Sequence, residues 1–169
     1  MKERIVIEPF DPNWSVHYEA LRTKLLMALG DVAIGIEHIG STAIPDMPAK
    51  PIIDIDVIIE SAADLPAAIA RLSGIGYLYE GDLGIVGRYA FKAPASDPAH
   101  HLYVCAKNDP ELQRHLMFRN YLRKHPELAR SYGELKRRAA QQAGSDRVAY
   151  ADAKRFFVEG ILCKAQSGD

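Results

Sequence analysis

The sequence predicts an α+β fold, a mixed sheet with helices packed on it and a helical C-terminal third. Three observations carry that prediction. Residues 52–59 (IIDIDVII) are the most strand-like run in the chain. Further strand-like stretches near 76–80, 85–92 and 101–106 are separated by short turns at Gly81 and Asp97-Pro98, which points to hairpins rather than a wholly parallel sheet. From about 109 onward the pattern is helical, over 110–124, 126–142 and 146–165, with Pro126 and Gly144 as the breaks.

The elements follow in order. Residues 4–8 (RIVIE) alternate and read as a short edge strand. Asp11-Pro12-Asn13 opens a helix with Asn13 as its N-cap and Gly30 as its stop; Val16, Leu21, Leu25, Leu26 and Leu29 recur at roughly helical spacing and define its core face. A strand at about 33–39 ends at Gly40-Ser41. Residues 42–51 hold three prolines and cannot form a regular helix throughout. Leu65 to Leu72 reads as a helix closed by Gly74 and Gly76.

A chain of 169 residues fits one domain, read as a sheet-containing core over about 1–108 and a helical part over about 109–169. Hydrophobic residues make up 48% and charged residues 25%, which excludes wholesale disorder. The formal net charge is −1, which offers no general attraction for nucleic acid or an anionic membrane. The balance is uneven, with −6 over residues 1–110 and +5 over 111–138. Cys105 and Cys163 form no metal-binding spacing, and the charged start MKERIVIEPFDPNW is unlike a signal peptide. No apolar run approaches the roughly 20 residues of a membrane span, so the expected setting is the reduced cytoplasm.

The chemistry concentrates in Ile39-Gly40-Ser41, followed after twelve residues by Asp54-Ile55-Asp56-Val57. Strand side chains alternate, so Asp54 and Asp56 share one face and Ile53, Ile55 and Val57 the other. Two carboxylates a few ångströms apart in an isoleucine-rich strand are costly unless a cation neutralises them or one protonates. Oxygen ligands so placed suit Mg²⁺ (or Mn²⁺), which completes its shell with water and substrate phosphates. Gly40 permits close backbone approach, and Ser41 with the backbone amides of a following helix start would hold a phosphate. The competing reading is a half-exposed strand whose aspartates face water.

This pattern resembles the signature of the DNA polymerase beta-like nucleotidyltransferase superfamily. More narrowly, Glu37-His38-Ile39-Gly40-Ser41-Thr42-Ala43-Ile44-Pro45, running into Ala49-Lys50-Pro51-Ile52-Ile53-Asp54-Ile55, resembles the hallmark of the GrpB family. Asp11-Pro12-Asn13-Trp14, Arg119-Asn120-Tyr121-Leu122-Arg123, Tyr132 with Lys136, and Tyr150 with Lys154 extend the resemblance over nearly the whole chain. It implies a nucleotidyltransferase-like fold. Gly40, Ser41 and Thr42 would contact a nucleoside triphosphate, Asp54 and Asp56 would hold the metal, and a nucleotidyl group would pass to an unknown acceptor. Active superfamily members bring a third carboxylate from a later strand. Here that strand reads His101-Leu102-Tyr103-Val104, with no acid, which leaves His101 as base or ligand.

Other residues admit two readings. Lys50 would meet phosphate or pair with Asp54, or is simply a loop lysine. Arg88 and Lys92 lie four apart on one strand face, as groove-lining phosphate contacts or as exposed charges. His115, Arg119 and Arg123 form a basic stripe, suited to phosphate by the arginine fork or to solvent. Lys136-Arg137-Arg138 lacks interleaved aromatics, so nucleic acid is not an expected partner. Three functions follow: a metal-dependent nucleotidyltransferase, a catalytically inactive nucleotide or phosphometabolite-binding module of the same fold, or an interaction module that keeps the fold alone.

Overall fold

The computed structural model describes residues 4–168. Five strands form one mixed sheet: β1 (Gly35–Ile39), β2 (Ile53–Ile59), β3 (Leu78–Gly81), β4 (Arg88–Lys92) and β5 (His100–Ala106). The spatial order is β1-β2-β5-β4-β3. Strands β2 and β5 run parallel, with Asp54 beside His101 and Asp56 beside Tyr103, and every other pairing is antiparallel. The hairpin expectation therefore holds for β3-β4-β5, and the chain between the parallel strands β2 and β5 passes through α2 (Leu65–Ser73) and then β3 and β4.

One sheet face is apolar. Ile53, Ile55, Val57 and Ile59 pack against Leu21, Leu25 and Leu29 of α1 (Asn13–Leu29) and Leu72 of α2, all fully or almost fully buried. The opposite face carries Asp54 and Asp56. It is covered by the helical third, α3 (Pro110–Lys124), α4 (Pro126–Ala143) and α5 (Arg147–Ser167). A second apolar cluster ties those helices to the proline-rich loop after β1, joining Ile44 and Met47 to Leu122, Ala129, Tyr132 and Ile161. Pro110 and Pro126 occupy helix first turns, where a missing N–H costs nothing.

Three local expectations are corrected. Residues 4–8 are not an edge strand: only Glu8 makes a bridge, with Ala49, while Ile5 packs on Ala139, Ala140 and Tyr150. Asn13 is the first residue of α1 rather than its cap: Pro12 holds the cap position without a side-chain cap, and Asp11 Oδ1 accepts from the Asn13 amide at 2.9 Å. Val16 is 64% exposed, because the buried stripe of α1 passes through Trp14, Tyr18, Leu21, Leu25 and Leu29 instead.

Candidate functional site

The site is built where β1 ends. Gly40 has φ +70°, and a Cβ there would lie 2.5 Å from Asp54 Oδ2. A side chain is excluded both by that conformation and by the carboxylate of the neighbouring strand. Only a single 3₁₀ turn, Ser41–Ala43, follows, where the sequence suggested a helix start. Pro45, Pro48 and Pro51 prevent its extension.

The turn is clamped from both sides. Within the core, Tyr18 stacks on His38 at 4.5 Å, and His38 Nε2 hydrogen-bonds the Thr42 hydroxyl at 2.9 Å. Burial, with Arg123 adding to it, pushes His38 down to about 4, so this imidazole is neutral at pH 7. From α3, Arg119 Nη1 donates to Glu37 Oε2 at 2.6 Å and to the His38 carbonyl at 2.8 Å, and Arg123 Nε donates to the Ala43 carbonyl at 2.9 Å. Both arginines thus hold the turn in place, Arg119 through Nη1 and Arg123 through Nε.

Each aspartate of β2 is held by a histidine. His101 Nδ1 donates to Asp54 Oδ1 at 2.8 Å, and His115 Nδ1 donates to Asp56 Oδ2 at 2.7 Å. Asp56 is fully buried and its Oδ1 has no partner. Burial raises its carboxyl above the ordinary range, with His115 opposing. For His115, burial works against the imidazolium, but the Asp56 hydrogen bond and charge outweigh it and hold the group above its ordinary value. A buried carboxylate oxygen without a donor, next to a second carboxylate, is a donor set that fits a divalent cation completed by water and phosphate. Among the described residues no group of three or more His, Cys, Asp or Glu is gathered to hold a metal without such help.

Beside Asp54 lies a cavity of about 160 Å³ lined by Ser41, Thr42, Lys50, Asp54, His101, Lys136, Tyr150 and Lys154. Two of the three lysines of its basic wall, Lys136 and Lys154, lie roughly 95 and 113 residues beyond Ser41 in sequence. Lys136 of α4 is 2% exposed, donates to the Pro48 carbonyl and lies 4.9 Å from the Tyr132 ring centre. Burial, reinforced by Lys154, lowers it to about 7. Lys154 of α5 is lowered to about 8 by burial and then by Lys50. Tyr150 carries an ammonium within reach on two sides, Lys154 at 4.1 Å and Lys50 at 4.6 Å from the ring centre. Three cations crowded into one partly buried space suit a polyanion.

The structure thus brings Gly40, Ser41, Thr42, Lys50, Asp54 and His101 together, with Asp56 directly beneath. Arg88 lines a separate cavity that also touches Asp54, and Lys92 lines a cleft that shares Ile52 and His101 with the lysine cavity. Lys136 and Lys154 were legible in sequence only as family motifs. The signal was present in the repeated Tyr-x-x-x-Lys spacing, Tyr132/Lys136 and Tyr150/Lys154, which puts ring and ammonium on one helix face.

This sheet with its Gly-Ser turn and aspartate strand is a nucleotidyltransferase-like fold. It superposes on a Cid1 poly(U) polymerase structure described as MgGTP bound with TM-score 0.55 at 11% identity, over 77% of this chain and 42% of that one. A family model described as GrpB protein matches residues 4–164, and the chain belongs to the GrpB family. The crystal structure of conserved protein GrpB from Enterococcus faecalis is 34% identical with TM-score 0.85, over 96% of this chain and 98% of that one. The UPF0157 protein YqkA of Bacillus subtilis is 35% identical over 141 residues, which span 83% of this chain and 41% of that protein. No helix among the described residues is long and apolar enough to cross a membrane.

Proposed function

We propose that the chain binds a nucleoside triphosphate at the Gly40-Ser41 turn and transfers a nucleotidyl group from it to an acceptor. The observation that supports this is one cavity in which the turn, Asp54 and the ammonium groups of Lys50, Lys136 and Lys154 converge. The lysines would meet phosphate oxygens, and Ser41 would donate to them. Mg²⁺ or Mn²⁺, held by Asp54 and Asp56, would supply charge neutralisation at the phosphates. In the transfer, an acceptor oxygen forms a bond to the α-phosphorus while the bond from that phosphorus to pyrophosphate breaks. His101 would take the acceptor proton on Nε2, since Nδ1 is held by Asp54.

A second reading, a catalytically silent nucleotide or phosphometabolite-binding module, is favoured by one observation. Beside the aspartates β5 presents His101 and Tyr103, with no third carboxylate. Pyrophosphate release with ATP, Mg²⁺ and a panel of hydroxyl acceptors separates the two. Release that disappears in Asp54→Asn supports transfer. Calorimetric ATP binding that is weakened in Lys154→Gln, without release, supports the silent module. Absence of ATP binding in the intact chain overturns both.

A further inference from the structure

A second cavity, of about 350 Å³, adjoins the lysine cavity at Asp54. Arg88 and Tyr103 come to it from the sheet, His115 and Phe118 from α3, and Val158 and Leu162 from α5. Its charged groups are nearly all spoken for. His101 holds Asp54, His115 holds Asp56, and Arg114 donates to Glu159 at 2.9 Å with its Nε 3.5 Å from Glu111.

Arg88 is the exception. Its guanidinium carbon lies 4.3 Å from the Tyr103 ring centre, and its Nε is enclosed with no hydrogen-bond partner. Among the described residues no carboxylate forms an ion pair with it. Asp56 lies within electrostatic reach of Arg88 but makes no ion pair or hydrogen bond with it, and stacking on a ring leaves the in-plane N–H donors of a half-buried guanidinium unused.

We propose that this cavity binds a small organic anion, with a carboxylate or phosphate on the Arg88 fork and a compact apolar part against Phe118, Val158 and Leu162. The volume lies near the lower end of small-molecule pockets, which run from about 300 to 1,000 Å³. It admits a single ring or short chain and excludes an oligonucleotide. Resting on the nucleotidyl-transfer reading above, the anion is also the acceptor. Its hydroxyl faces Asp54, its oxygen forms the bond to the α-phosphorus as pyrophosphate departs, and its proton passes to His101.

The test is an NMR titration of the full ¹⁵N-labelled chain with 4-hydroxybenzoate and with glycerol 3-phosphate, using 4-hydroxybenzyl alcohol and glycerol as their neutral counterparts. At least one anion is expected to saturate and to move the Arg88 Nε–H and Phe118 amide signals; which one does so identifies the headgroup. Arg88→Gln should weaken binding about tenfold or more, the usual scale for a hydrogen bond to a charged group. Arg88→Lys should fall between. The anion site is overturned if neither anion saturates, if the neutral counterparts bind equally well, or if Arg88→Gln binds as tightly as the unaltered chain. A parallel ATP titration keeps the two readings apart. Anion binding without ATP binding supports the site and overturns its acceptor role together with nucleotidyl transfer, whereas ATP binding without anion binding overturns the site alone.

Discussion

Lys136 and Lys154 are the groups whose protonation a bound triphosphate would change most. With values of about 7 and about 8, at pH 8 Lys136 is roughly 90% neutral and Lys154 half neutral, so together they lack roughly 1.4 protons. Phosphate oxygens against both ammonium groups restore the charged forms, so ATP binding takes up roughly 1.4 protons at pH 8 and roughly 0.6 at pH 7. Integrating between those values, affinity falls roughly tenfold from pH 7 to pH 8. The ATP phosphates are already ionised in this range, their last step lying near pH 6, so the uptake belongs to the protein. Isothermal titration calorimetry in Tris and in HEPES at one pH reads the proton number from the difference in observed enthalpy. In Lys154→Gln the uptake at pH 8 should drop below roughly 0.9, because Lys136 alone remains and loses the neighbouring charge that helps hold it down. ATP that binds at pH 8 with no buffer dependence would refute the reasoning, because the phosphates would then lie away from these lysines.

Three further outcomes are expected. Gly40→Ala places a Cβ 2.5 Å from Asp54 Oδ2 at φ +70°, and the conformation alone costs about 1–2 kcal/mol; thermal unfolding should fall by roughly 2–8 °C, with nucleotide binding lost. Arg119→Ala strips Glu37 and the His38 carbonyl of their donor, at about 2–3 kcal/mol, and an unfolding temperature within 1 °C of the parent would exclude that clamp. For Lys136 the folded value is lowered from 10.5 to about 7, so the unfolded chain binds more protons between those limits. Its cost to folding is therefore fully present below about pH 7, at roughly 5 kcal/mol, and fades as pH rises toward 10. Urea unfolding of Lys136→Met against the parent should show the mutant's relative stability declining by several kcal/mol from pH 6.5 to 10, and a constant difference would show a solvated ammonium.

Much of the fold was legible because local signals and tertiary demands agree. The isoleucines of β2 alternate against Asp54 and Asp56, and the structure buries the first set on α1 and α2 and turns the second to the opposite face. Pro110, Pro126 and Gly144 mark helix ends by their own backbone restrictions. The alternation in residues 4–8 misled because Ile5 is buried by helices rather than by a strand partner. In the site, Gly40, Ser41 and Asp54 stand close in sequence, so their spacing could be read. Arg119 and Arg123 could not be read as clamps, because their acceptors lie some 80 residues earlier. The buried state of Lys136 depends on Pro48 and Tyr132, which no pattern local to α4 reports for a proline 88 residues away.

Helix α5 touches both cavities with one face. Tyr150 and Lys154 line the lysine cavity, while Val158 and Leu162, continuing at the same four-residue step, line the one around Arg88. A ligand that drew in either end of this rod would reposition the wall of the other compartment. By reciprocity, the factor by which the first ligand alters affinity for the second must equal the factor in the reverse direction. Two cavities that share only one aspartate in the sheet would thereby be joined through a lever above it, and occupancy of one would become information available to the other.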